Sequence, residues 1–242
     1  MDIFVTRRNI WFSGIKDGIP ICLGYFAVSF AFGIQAKLIG ITAFQALTMS
    51  ATNLTSAGQF AALGIIAANS SYFEMALTQI IINLRYCLMS CAIAQKLKPE
   101  TPFLHRLGVA YGVTDEIFGV SVCKEEKLSP FYSYGLMTVA IPGWCFGTYL
   151  GVISGNFLPE NIISALGIAL YGMFIAVVVP AAKKDNSILK VVICAMIVST
   201  LFYFAPILKE ISSGFQIIII TLLIAGIAAW IFPVKEGDSV AS

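Results

Sequence analysis

Long runs of this chain carry no Lys, Arg, Asp or Glu at all: Gly18–Ala36, Leu38–Phe73, Leu128–Pro159, Asn161–Ala182, Val191–Leu208 and Ile211–Val234. These runs constrain the fold more than any motif, because about 20 apolar residues wound as a helix cross the hydrocarbon of a bilayer. Two shorter runs, Met75–Leu84 and Tyr86–Gln95, are separated by a single charge, Arg85. The chain is 58% hydrophobic and 12% charged, where a soluble domain carries roughly 25% charged residues. The pattern predicts an all-α integral membrane protein, a polytopic bundle of about six to seven membrane segments forming one domain over residues 1–242. A β-barrel is excluded, since its strands would read as segments of ~10 residues alternating in polarity.

Charge placement then sets topology. A formal net charge of +2, thinly spread, gives no footprint for nucleic acid. Arg7, Arg8 and Lys16 precede the first span, which places the N-terminus in the cytoplasm by the positive-inside rule. No cleavage pattern follows, so the N-terminus is expected to stay attached as an interfacial anchor. The loop of residues 96–127, with Lys96, Lys98, Arg106, Lys124 and Lys127, is expected to be cytoplasmic too. An even number of crossings must separate the two, yet three apolar segments lie between them, near 18–36, 38–68 and 74–95. The second therefore is expected not to cross fully, being broken or re-entrant near residues 50–59. Further spans are expected near 131–153, 161–182, 188–208 and 214–233, in a multi-pass protein of the cytoplasmic membrane.

The expected break coincides with the polar run Thr52-Asn53-Leu54-Thr55-Ser56-Ala57-Gly58-Gln59. Its polar groups wrap around the segment, so one neighbouring helix cannot satisfy them all. Asn53, Ser56, Gly58 and Gln59 thus become candidates for lining a cavity, with Asn83 on the polar stripe of the next segment. Arg85 costs ~2.5–3.5 kcal/mol at the centre of a span, so it demands a partner or a water cavity. It reads either as a clamp for a substrate carboxylate or as a structural pair with Asp115, Glu116 or a backbone carbonyl. Asp115 and Glu116 read either as a proton-coupling or gating pair, or as the acidic first turn of a helix capped by Thr114.

Gly143, Gly147, Gly151 and Gly155 recur every fourth residue and predict a packing seam on one helix, for another helix, a small partner or a second copy of the chain. Phe60, Leu63 and Met89 are expected to house an aliphatic group. Signatures of nucleotide binding, zinc proteases and serine hydrolases are absent, the one histidine is His105, and the six cysteines are scattered. We expect no catalysis, no cofactor and no metal.

Several elements together, Pro20-x-x-x-Gly24-Tyr25, Met49-Ser50, Ala57-Gly58-Gln59-Phe60, Asn83-Leu84-Arg85-Tyr86-x-Leu88-Met89-Ser90 and Thr114-Asp115-Glu116, resemble the AzlC family, the large subunit of two-component exporters of branched-chain amino acids. Tyr171-Gly172-Met173-Phe174-Ile175-Ala176 and Pro180 extend the resemblance. It implies a secondary transporter that exports leucine, isoleucine, valine or similar small amino acids, working in the lipid bilayer with a small AzlD-type membrane subunit. Two positions depart from the family's pattern: Tyr86 where many relatives carry His, and Thr52-Asn53 where an apolar pair is more usual. The residues themselves leave a passive channel or pore subunit, and a non-transporting membrane scaffold, as alternatives.

Overall fold

The structure, a computed structural model, describes residues 2–124, 127–155, 185–205 and 211–232, with residues 175, 178, 179, 182 and 183 as isolated positions. All regular structure among them is helical: α1 (Asp2–Leu38), α2 (Ala43–Thr52), α3 (Ser56–Ala67), α4 (Tyr72–Lys96), α5 (Phe103–Tyr111), α6 (Asp115–Val122), α7 (Pro130–Ser154), α8 (Asn186–Phe204) and α9 (Ser213–Ile231). Five of these, α1, α4, α7, α8 and α9, are long and apolar enough to cross a membrane. The protein is a polytopic helical membrane protein. The span expected near 161–182, with the Tyr171 to Pro180 elements, falls outside the described residues except at the isolated positions 175, 178, 179 and 182.

The chain forms two compact units, residues 1–63 with 83–170, and residues 64–82 with 171–242. In the second, α8 packs on α9. The buried Glu74 carboxylate accepts hydrogen bonds from Ser212 and from the Gly214 amide (3.1 Å) at the N-terminus of α9, where the helix dipole favours an anion.

The first unit is built on α1 and α7. Their contacts rise in step: Gly14 lies on Gly135, Cys22 on Gly143, Phe26 on Gly147 and Phe30 on Gly151. The two helices therefore run parallel. Small residues let the backbones touch, which is how helices associate where lipid removes the hydrophobic drive. A Cβ at Gly147 would lie 2.5 Å from the Phe26 carbonyl oxygen, and one at Gly143 2.9 Å from that of Cys22. Three of the four seam glycines thus face α1, leaving that stripe no room for another partner, while Gly155 caps the end of α7 beside Lys37.

Between these parallel helices the chain makes a re-entrant hairpin. Gly40, at φ +85°, closes α1 with a Schellman pair, Ile41 N to Ala36 O (2.9 Å) and Gly40 N to Lys37 O (3.0 Å). A capping box between Thr42 and Gln45 then starts α2. Asn53, extended at φ −139° and ψ 90°, stops it. Thr55 restarts the helix: its carbonyl accepts from Gln59 N (2.8 Å) and its hydroxyl from Gly58 N (3.4 Å). Asn and Thr can bond backbone groups locally in place of the helical ladder, which locates the break here.

The direction of α3 follows from its neighbours. Gln59, near its start, bonds Trp144 and Ser50, whereas Leu63, one turn later, packs with Phe32, Ala36, Ile41, Ala46 and Val152 beside the C-terminal ends of α1 and α7. The chain returns toward the end from which α2 entered. At the opposite end Leu97 pairs with Leu128 at the start of α7 and Lys124 bridges to Asp17 of α1 (3.0 Å). The parity argument from the charges reaches the same hairpin. The basic stretch 96–127, read from the sequence as a loop, instead contains α5 and α6, started by Pro102 and Thr114.

Two outcomes follow. Gly147→Leu should lower stability by ~1–3 kcal/mol or more, because neither backbone can yield; the thermal unfolding midpoint of the purified protein reports it. In a cysteine-free background, Leu38→Cys and Lys98→Cys should react with an impermeant thiol reagent from opposite sides of the membrane. Reaction of both from the same side would exclude the hairpin.

Candidate functional site

At the hairpin tip the polar side chains meet in two connected groups. The first is sealed: Trp144 Nε1 donates to Gln59 Oε1 (3.0 Å), Gln59 Nε2 donates to Ser50 Oγ (3.0 Å), and Ser50 Oγ lies 2.7 Å from Thr148 Oγ1. All four side chains are buried. Each amide and hydroxyl here replaces water for another, so the chain of bonds fixes α2, α3 and α7 together.

The second group joins the tip to α4, α6 and α1. Thr55 Oγ1 donates to Asn83 Oδ1 (2.6 Å), and Tyr111 donates to the Ala51 carbonyl near the end of α2. Arg85 Nη2 lies 3.0 Å from Asp115 Oδ2 and 3.3 Å from the Tyr86 hydroxyl, with its guanidinium 5.0 Å from the Tyr86 ring centre. The Tyr25 hydroxyl donates to Glu116 Oε2 (2.5 Å) and sits 2.6 Å from Thr114 Oγ1, whose own proton can return the bond. The Tyr25 ring meets Trp144 edge-on at 5.4 Å, linking the two groups.

The acidic pair forms the capped first turn of α6 and also faces the polar group at the tip. Thr114 caps α6, accepting from Ile117 N (3.4 Å), with Asp115 and Glu116 in the first turn, while the same two carboxylates reach Arg85 and Tyr25. Burial pushes both carboxyls above their usual range. The Arg85 charge partly offsets this at Asp115, and the hydrogen bond from Tyr25 does so at Glu116.

Of the residues singled out from sequence, Gln59, Asn83, Arg85, Asp115 and Glu116 make these contacts directly. Asn53 closes α2, Ser56 opens α3, and Gly58 contributes its backbone N–H to Thr55. Two of the apolar trio are corrected: Leu63 is in the core and Phe60 packs on it, ring to ring with Phe32 at 5.4 Å, because α3 turns back toward the α1 end. Met89 stays half-buried on α4. Sequence reasoning overlooked Trp144 and Thr148. The signal was available, since each directly follows a seam glycine, Gly143 and Gly147, and lies one position off the buried stripe.

The profile of the AzlC protein family matches residues 20–158, which hold every residue of both groups. The chain belongs to the AzlC family. It is 32% identical over 181 residues to an uncharacterized membrane protein of Archaeoglobus fulgidus, covering 74% of this chain and 79% of the relative. It is 28% identical over 186 residues to the inner membrane protein YgaZ of Escherichia coli, covering 72% and 74%. A membrane protein of Helicobacter pylori is 24% identical over 64% of this chain and 73% of its own length. No solved structure matches significantly.

For this AzlC-family chain, Gln59→Leu should cost more than its lost bonds. It keeps the volume but strands the Trp144 N–H and a Ser50 hydrogen bond in an apolar interior, at roughly 1–3 kcal/mol per stranded group. The measurement is the unfolding midpoint against that of Gln59→Glu; a Gln59→Leu protein as stable as the parent would show the chain of bonds to be dispensable.

Proposed function

We propose that the protein is a secondary transporter that exports branched-chain or similar small amino acids across the cytoplasmic membrane, N-terminus inside, together with a small AzlD-type membrane subunit. The observation that carries this reading is Arg85. Its Nε is buried with no partner among the described residues, while 37% of its side chain stays accessible beside Asp115. A guanidinium with an unused donor, set among apolar helices, is the group that recognises a carboxylate by a two-bond fork. Membership of the AzlC family supports the transport role.

The geometry suggests how such a site works. Asp115 holds Arg85 through one nitrogen, so an arriving carboxylate competes with Asp115 for the guanidinium. The C-terminal end of α2 presents carbonyls, the negative end of a helix dipole, where an ammonium group is favoured. The positive N-terminus of α3 lies three residues on. Release of Asp115 and protonation of Asp115 or Glu116 then couple substrate movement to protons. The sealed polar group favours a carrier over an open pore.

The test is efflux of labelled leucine, isoleucine and valine from preloaded vesicles, with and without the small subunit. Efflux should saturate, vanish in Arg85→Ala and fall steeply in Arg85→Lys, which keeps charge but loses the fork. Asp115→Asn should lower the substrate KM, since the internal competitor is weakened, while also lowering the maximal rate if Asp115 carries protons. Full transport by Arg85→Lys would rule out fork recognition, and non-saturating flux would favour a pore.

A further inference from the structure

The basic end of the first unit, which lies opposite the end from which α2 enters, carries several cations. Most cations there are already engaged. Lys124 pairs with Asp17 (3.0 Å), Lys127 donates to the Gln95 carbonyl (3.1 Å), and Arg106 donates to the carbonyls of Thr101, Lys98 and Pro99. Arg7 and Arg8 differ. Both are exposed on the first turns of α1, and neither makes a hydrogen bond or ion pair among the described residues.

They line a shallow groove of about 330 Å³ with Trp11 and Phe131. Arg7 is held in place there, its guanidinium 5.1 Å from the centre of the Phe131 ring, and Trp11 is fixed by its indole N–H bond to Thr138 (3.3 Å). Phe131 in turn packs against His105 and Tyr134. Two cations beside two anchored aromatic rings, where a spanning helix begins, match an amphiphile: a phosphate on the guanidinium groups and an acyl chain along the rings. A soluble anion would leave the aromatic half of the groove unused.

We propose that this groove binds an anionic phospholipid headgroup, with Arg7 and Arg8 taking the phosphate and Trp11 and Phe131 the adjoining glycerol and acyl carbons. The site is independent of the transport reading, because it shares no residue with the hairpin tip.

Trp11 reports on it directly. The full-length protein and its Trp11→Phe variant are reconstituted in phosphatidylcholine vesicles containing bromine-labelled phosphatidylglycerol, or the same fraction of bromine-labelled phosphatidylcholine. The difference in fluorescence between the two proteins isolates Trp11. Quenching of that component should be several-fold stronger with the anionic lipid, weaken at high salt, be unchanged by added inorganic phosphate, and lose its preference in an Arg7→Gln/Arg8→Gln protein. Equal quenching by the two lipids in the unmodified protein would overturn the proposal whether or not the arginine variant folds. So would a preference that survives in a folded Arg7→Gln/Arg8→Gln protein, or one abolished by free phosphate.

Discussion

A backbone that stops being helical inside a membrane must find partners within the protein, since each unpaired group in hydrocarbon costs several kcal/mol. The rest of the first unit depends on that requirement at Asn53 to Thr55. Thr55 turns its own carbonyl and hydroxyl to the first amides of α3, Tyr111 covers the Ala51 carbonyl, and Asn83 accepts the Thr55 proton. Such an arrangement needs α4 and the short helices α5 and α6 close to the tip. It also needs a rigid wall behind it. The parallel α1 and α7, in backbone contact through their glycines, supply that wall, and Tyr25, Trp144 and Thr148 project from it.

Much of this was legible in the chain. Counting basic residues against apolar segments demanded a non-crossing segment, and the run from Thr52 to Gln59 showed where it would break. The glycine spacing identified one side of the α1 and α7 contact. The pair of Arg85 with Asp115 was among the readings the sequence left open, but not which of Asp115, Glu116 or a carbonyl would take it. The bond of Tyr25 to Glu116 could not be read, since it joins residues far apart in sequence and a tyrosine has several chemically equal partners along the chain. The stretch 96–127 misled for a related reason: its charges describe its flanks, whereas the apolar residues between Phe103 and Val122 form two short helices, one of which turns its N-terminus into the bundle. Phe60 and Leu63 were misplaced because composition gives an apolar residue no hint of whether it lines a pocket or fills a core.

The two polar groups differ in how they hold the tip, and that difference has a direction. Separating Trp144, Gln59, Ser50 and Thr148 breaks three buried bonds worth about 1 kcal/mol each and strands groups that cost about 1–3 kcal/mol apiece. The Arg85 and Asp115 pair keeps 37% and 29% of its side chains accessible, and ion pairs open to water contribute about 0–1 kcal/mol. A ligand carboxylate can replace one such partner with another at little cost, whereas nothing of similar chemistry replaces the sealed chain. Any rearrangement of the tip therefore starts between α4 and α6, with α2, α3 and α7 moving, if at all, as one piece. Tyr25 stands at the junction, its hydroxyl on the looser side and its ring against Trp144 on the tighter one. It is the residue that ties Glu116 to the sealed group.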